Sequence, residues 1–207
     1  MRVDDFKNAL ALAARELAQR DPAQTASLAG VKLEEGFFKF NFLYRPIKVS
    51  ADDYVAAYAE AAPNEELSLT DSVLILHFLQ GAKGLGNQEE LVAYRQIPGG
   101  EFYFAAFRKR AEIPLVKVFG SAPGLLNKAA LLLGGEVKGA MGDEAALFEV
   151  LPNLTVATIL HHGDEEFEPE GQVLFNRNVA LALSVEDAAW LGSGVVYRLM
   201  GLSKNLS

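Results

Sequence analysis

The sequence predicts a single α+β domain, mainly antiparallel sheet with packed helices, over residues 1–207. Three observations predict it. Glu136 to Met141, Ala146 to Leu151 and Leu154 to His161 read as three successive strands with no helix between them, which a meander satisfies and parallel crossovers do not. A second strand-turn-strand unit, Val31 to Val49, lies far upstream, and helical periodicity fills the intervening and flanking segments.

Each element has its own signal. Phe6, Leu10, Ala13 or Ala14 and Leu17 recur at helical spacing between Asp4 and Arg20, and Asp21-Pro22 ends that helix. From Val31 the period becomes two, so Phe38, Phe40, Phe42 and Tyr44 are expected on one face and Phe37, Lys39, Asn41 and Leu43 on the other. Arg45-Pro46 turns into the strand Ile47-Lys48-Val49. The Ala-rich stretch Asp52 to Ala62, with Tyr54 and Tyr58 at i and i+4, predicts a short helix stopped by Pro63-Asn64. Ser68-Leu69-Thr70-Asp71 is a capping signature, and the apolar run that follows predicts a helix buried on nearly all sides.

Leu91 to Tyr94 reads as a strand closed by Pro98-Gly99-Gly100. Phe104, Phe107 and Ala111 tip Phe102 to Arg110 toward helix. Pro114 to Phe119 and Pro123 to Leu133 predict two more helices, the second capped by Gly134-Gly135. After the meander, Asp164 to Glu170 is an acidic loop and Val173-Leu174-Phe175 one more strand. Ser184-Val185-Glu186-Asp187 opens a last helix toward Leu199, in which Gly192 and Gly194 each cost about 1 kcal/mol relative to Ala and mark close packing or a break.

Composition narrows the function classes. The 207 residues carry a net charge of −8, spread evenly as −5 in residues 1–103 and −3 in 104–207, and half are hydrophobic. No half is a basic module, so nucleic-acid binding, which draws its affinity from Lys and Arg on phosphates, is not expected. The same charge would be repelled by an anionic lipid surface. With no Cys, disulfides, thiolate nucleophiles and Cys-ligated zinc or iron–sulfur centres are excluded. The uncharged stretches Ser72 to Ala82 and Val150 to Gly163 fall short of the roughly 18 residues of a membrane span. Met1-Arg2-Val3-Asp4-Asp5 does not read as a signal peptide. A soluble cytoplasmic protein is the expectation.

Few motifs carry chemistry. Gly81-Ala82-Lys83-Gly84-Leu85-Gly86 follows a helix and lacks the Gly-Lys-Ser/Thr of a phosphate loop, and Gly192-Ser193-Gly194 is no nucleophile elbow. His77 lies on the polar stripe of its helix and reads as a hydrogen-bonded core or boundary residue. His161 and His162 point to opposite faces of a strand end, followed by Asp164, Glu165 and Glu166. If that acidic loop holds a metal, His162, Asp164 and Glu166 are its ligands and Glu165 a general base, an arrangement that would activate water. Otherwise it is solvated surface. Arg108-Lys109-Arg110, flanked by Phe102, Tyr103, Phe104 and Phe107, is the sole basic cluster, and rings that stack beside guanidinium groups that pair with phosphate or carboxylate can hold a single-stranded nucleic acid or an anionic cofactor. The same residues also read as a solvated face pairing with the chain's acids.

Several stretches together resemble a family with no assigned activity, "domain of unknown function 3786". They are Ser72 to Ala82, Tyr94 to Gly100, Pro114-Leu115 with Phe119-Gly120, Leu133-Gly134-Gly135, and Gly163 to Phe167 with Leu174-Phe175. The resemblance implies company with anaerobic metabolism, since members occur largely in anaerobes and some are fused to a small iron–sulfur domain. Cluster binding by this Cys-free chain is excluded. It draws attention to Asp164, Glu165, Glu166, Arg95 and the Pro98-Gly99-Gly100 turn.

Three readings follow. The first is a small-molecule or cofactor-binding accessory protein, with Arg95, Arg110, Tyr94 and Phe107 at an aromatic-lined pocket and no particular cofactor indicated. The second is the metal-dependent enzyme just described. The third is a protein-interaction or dimerisation module that docks a partner protein or a second copy through an exposed apolar patch.

Overall fold

The computed structural model describes residues 3–206. The first helix, α1 (Val3–Leu17), buries Phe6, Ala13 and Leu17 along one stripe. Asp21 caps α2 (Pro22–Ala29), accepting N–H bonds from Ala23 and Gln24. A four-stranded antiparallel sheet follows in the order β1 (Lys32–Glu34), β2 (Phe37–Phe42), β3 (Arg45–Ser50), β4 (Ala56–Tyr58). Phe38 pairs with Val49 and Phe40 with Ile47, so the period-two face is the core face. Tyr44 departs from it. With Leu43 it adopts a positive φ in the β2–β3 turn, and its hydroxyl accepts the Glu149 N–H at 3.0 Å. Leu43 N–H bonds Val150 O at 3.0 Å, and these two contacts clamp the small sheet onto the large one.

The helix expected over Asp52 to Ala62 does not form. Ser50 Oγ accepts from Asp52 and Asp53 N–H, Tyr54 sits at φ 57°, and residues 56–58 pair with 47–49 as β4. Tyr54 is buried with its hydroxyl on Leu17 O at 3.0 Å. Alanine is the strongest helix former, but propensity is worth less than about 1 kcal/mol per residue, and these ladder bonds and a buried ring override it.

Ser68 caps α3 (Leu69–Gly81), whose Val73, Leu74, Ile75, Leu76, Phe78 and Leu79 are all buried as the uniform apolar pattern requires. Then come β5 (Leu91–Ala93), a 3-10 turn (Tyr94–Gln96), α4 (Gly100–Arg110), α5 (Glu112–Phe119) and α6 (Leu125–Leu132), closed by Gly134 at φ 83°. β6 (Glu136–Val137) is shorter than the expected Glu136 to Met141, whereas β7 (Glu144–Leu151) starts two residues earlier than expected. β7 turns through Pro152 and Asn153 into β8 (Leu154–His161), and β9 (Glu170–Asn176) completes a large antiparallel sheet in the order β5-β9-β8-β7-β6.

A short α7 (Val179–Ala182) leads to α8 (Val185–Ser203), where Ser184 and Asp187 form the expected capping box. Gly192 is a packing position, since a Cβ there would lie 2.7 Å from Phe175 and 3.2 Å from Phe107. One contiguous hydrophobic core runs from Leu17 and Phe38 through Phe148 and Val156 to Leu199, giving an α+β fold of two antiparallel sheets with packed helices. Among the described residues no helix is long and apolar enough to cross a membrane.

Candidate functional site

The candidate site arises where β5 stops short. β5 pairs with β9 only from Ala93–Leu174 to Leu91–Asn176. At Tyr94 the chain leaves the sheet, because Gln96 Oε1 takes the Ala93 N–H at 2.7 Å and the backbone tightens into the 3-10 turn. Gly100 is required just beyond, where a Cβ would lie 1.9 Å from Tyr94 O. Beside Glu170 to Val173, α5 takes the place of a strand. Gly171 permits that approach, since a Cβ there would lie 2.8 Å from Val116 and 3.2 Å from Leu115.

The result is a cleft of about 700 Å³ between the 3-10 turn, α4, α5 and β9. Its cations are Arg95, Arg108 and Lys117, and its carboxylates Glu112 and Glu170. Phe104, Ile113, Val116 and Leu174 supply an apolar wall. Arg95 stacks its guanidinium 4.2 Å from the Phe104 ring centroid. Among the described residues neither Arg95 nor Arg108 donates a hydrogen bond to another side chain or carbonyl, so ten N–H donors stand ready for an acceptor, five per guanidinium. Glu112 is partly buried, and that burial pushes its carboxyl up from the ordinary glutamate value. The Val173 N–H and the charges of Arg108 and Arg95 pull it back. A carboxyl perturbed by burial beside specific cations in a cleft is a recognised mark of a functional position.

The four residues expected to share a ligand pocket are divided by α4. Arg95 lines the cleft, whereas Arg110, Tyr94 and Phe107 lie at a separate hollow of about 230 Å³ with Trp190 and Glu186. Arg110 rests 5.0 Å from the Trp190 ring. Tyr94 and Phe107 are each 1% exposed and stack on one another at 4.1 Å, with the Tyr94 hydroxyl on Val185 O at 3.0 Å. They are core, and they hold the 3-10 turn and α4 in the positions that shape the cleft. Adjacency in sequence grouped Arg108 with Arg110, but two residues along a helix are about 200° apart, so they face different cavities.

His162, Asp164 and Glu166 are not brought together. His162 turns inward, with Nδ1 3.0 Å from Gly120 O and Nε2 2.8 Å from Glu144 Oε1. Both ring nitrogens are engaged, Nδ1 by a carbonyl and Nε2 by a carboxylate, so neither is open to a metal. The Gly120 carbonyl raises its pKa above the ordinary histidine value and Glu144 adds to that, against desolvation. Asp164 instead accepts the Glu166 and Phe167 N–H groups, both at 2.8 Å, and these hold its carboxyl below the usual range. Among the described residues no group of three His, Cys, Asp or Glu side chains is placed to hold a metal ion.

Glu144 was not singled out by sequence reasoning. It is 4% exposed, and besides His162 it accepts Gly124 N–H at 2.8 Å and Asn127 N–H at 2.9 Å, capping α6 from a neighbouring strand. The available signal was a carboxylate opening a strand that stays apolar until Glu149, with a histidine just past the end of the partner strand. Glu112 and Arg108 were also missed as a pair, although i,i+4 spacing across the α4–α5 junction was visible. His77 is the boundary histidine it was read as, its Nδ1 2.9 Å from Asp187 Oδ1.

Fold and cleft together define an α+β protein with two antiparallel sheets and one cation-rimmed amphipathic cleft at the edge of the larger sheet. The chain belongs to the family described as Domain of unknown function (DUF3786), whose model matches residues 21–198. No curated protein and no solved structure matches it. The matched region takes in the cleft, the Pro98-Gly99-Gly100 turn and the acidic loop.

Proposed function

We propose that this protein is a small-molecule-binding protein whose ligand is an organic anion with an apolar body, seated in the cleft bounded by the 3-10 turn, α4, α5 and β9. One observation carries the reading: two guanidinium groups, Arg95 and Arg108, face a cavity of about 700 Å³ without a hydrogen-bonded partner among the described residues. That volume lies in the range of ligand pockets, which pair apolar walls with a few placed polar groups. The guanidinium fork suits a carboxylate, sulfonate or phosphate, and Phe104, Ile113, Val116 and Leu174 suit a hydrocarbon body.

The anionic dye 8-anilinonaphthalene-1-sulfonate tests it. A charge-assisted hydrogen bond contributes about 1.5–3 kcal/mol, so Arg95→Ala with Arg108→Ala should weaken dye binding by at least about tenfold. Equal affinity in wild type and the double variant would sink the proposal.

A further inference from the structure

The cleft runs along a stretch of sheet edge that no strand covers. Arg177, just past β9, donates its N–H to Glu90 O at 3.2 Å on the β5 side. Residues two apart in a strand turn their backbone groups to the same side, so Phe175, Val173 and Gly171 also face away from β8. Glu170, Gln172 and Leu174 face the other way and pair with His161, Ile159 and Ala157. On the outer side Phe175 is paired with Val92, and the Val173 N–H is held by the Glu112 side chain. Gly171 has no such partner. Because β5 leaves the sheet at Tyr94, no residue opposes Gly171, and among the described residues nothing accepts its N–H or donates to its C=O.

An unpaired donor and acceptor on a strand edge, close to guanidinium forks, are complementary to the end of a peptide, which carries a last N–H, a side chain and a carboxylate in succession. Three cations, Arg95, Arg108 and Lys117, stand against two carboxylates, Glu112 and Glu170, and one terminal carboxylate neutralises the positive charge left over. A Cβ at Gly171 would point at Val116 of α5, 2.8 Å away. The side chain of a residue directly opposite Gly171 emerges on that same face, where Val116 and Ile113 offer it an apolar wall.

Resting on the anion-binding reading above, we infer that the ligand is the C-terminus of an extended peptide with an apolar last residue, laid along β9 opposite Gly171. The last N–H of the peptide donates to Gly171 O, one carboxylate oxygen accepts the Gly171 N–H, and Arg95 and Arg108 clamp the carboxylate. The last side chain rests on Ile113 and Val116. A strand added to an open sheet edge draws affinity from main-chain bonds and selectivity from side-chain pockets. A carboxylic acid without a peptide unit meets the guanidinium groups but leaves Gly171 O unpaired, and phosphate leaves the apolar wall uncovered as well.

Calorimetry on the whole chain with N-acetyl-alanyl-alanyl-leucine tests this. The comparison ligands are its C-terminal amide, its analogue methylated on the leucine nitrogen, and isocaproate, which keeps the carboxylate and hydrocarbon body of leucine without the peptide unit. The peptide should bind, amidation should weaken it by at least about tenfold and N-methylation by about fivefold, since a charge-assisted bond is worth more than a neutral one. Bound peptide should also slow hydrogen exchange at the Gly171 N–H. Equal affinity of the N-methyl analogue, or unchanged exchange at Gly171, overturns the strand pairing. Equal affinity of the amide overturns the role of the terminal carboxylate. Isocaproate binding as tightly as the peptide, or no binding by the peptide, overturns the ligand class and leaves the anion site standing as long as dye binding depends on Arg95 and Arg108. If dye binding ignores those two residues, the underlying reading fails with it.

Discussion

Replacing Glu144 by Ala removes the shared partner of three donors: Gly124 N–H at 2.8 Å, Asn127 N–H at 2.9 Å and His162 Nε2 at 2.8 Å. Each amide left unsatisfied costs about 1–3 kcal/mol, and the charge-assisted bond to His162, whose side chain is 19% exposed, contributes about 1.5–3 kcal/mol. These groups act as one unit, so the costs do not add, and a loss of about 3–5 kcal/mol is expected. For a chain of this size that lowers Tm by roughly 6–20 °C. Urea titration followed by the fluorescence of the single Trp, Trp190, measures it directly. The pH dependence adds a second arm. His162 binds its proton more tightly folded than unfolded, so its contribution is fully present below about 6.5 and is lost as pH rises through the higher folded value. His77, raised chiefly by its hydrogen bond to Asp187, has the same sign. His162→Gln should therefore flatten the decline in stability above about pH 6.5 without abolishing it. A loss below about 1 kcal/mol in Glu144→Ala, or an unchanged pH profile in His162→Gln, refutes the assignment of a structural His162–Glu144 pair.

Two further outcomes are expected. Gly171→Ala places a Cβ 2.8 Å from Val116 and should cost about 1–3 kcal/mol while pushing α5 off β9 and weakening dye binding, whereas Gly139→Ala, with nothing within 4 Å, should change neither. Asp164→Asn with Glu166→Gln should shift stability by less than about 0.5 kcal/mol and leave zinc uptake in equilibrium dialysis at the wild-type level, and a clear fall in uptake would restore the metal reading.

The strand meander, the buried α3, the capped α8 and the amphipathic α1 were legible because each depends on local periodicity and caps within one segment. Gly134 and the Ser184–Asp187 box were legible for the same reason, whereas Gly192 was left between close packing and a break until Phe175 and Phe107 decided it. The helix expected at Asp52 to Ala62 was misread because its alternative, three ladder pairs to β3, involves residues that share no local pattern with it. Tyr94 and Phe107 were expected to line a ligand pocket together with Arg95, and their rings instead stack on each other in the core on the other side of α4, since composition does not say which face of a ring is covered.

The sequence by itself determined the fold class, the absence of cysteine chemistry, the even acidity and the family. Those follow from counts and from patterns a few residues long. Only the tertiary structure decided which charges meet. Arg95, Arg108 and Glu112 come from three successive elements whose relative angles are set by Gly100, Gly171 and the Tyr94–Phe107 stack. Glu144 and His162, 18 residues apart, meet because β7 and β8 are antiparallel neighbours, and Gly124 joins them because α6 docks above that sheet end. Electrostatic partnership depends on distance and burial in space, and neither is encoded in any short window of the chain.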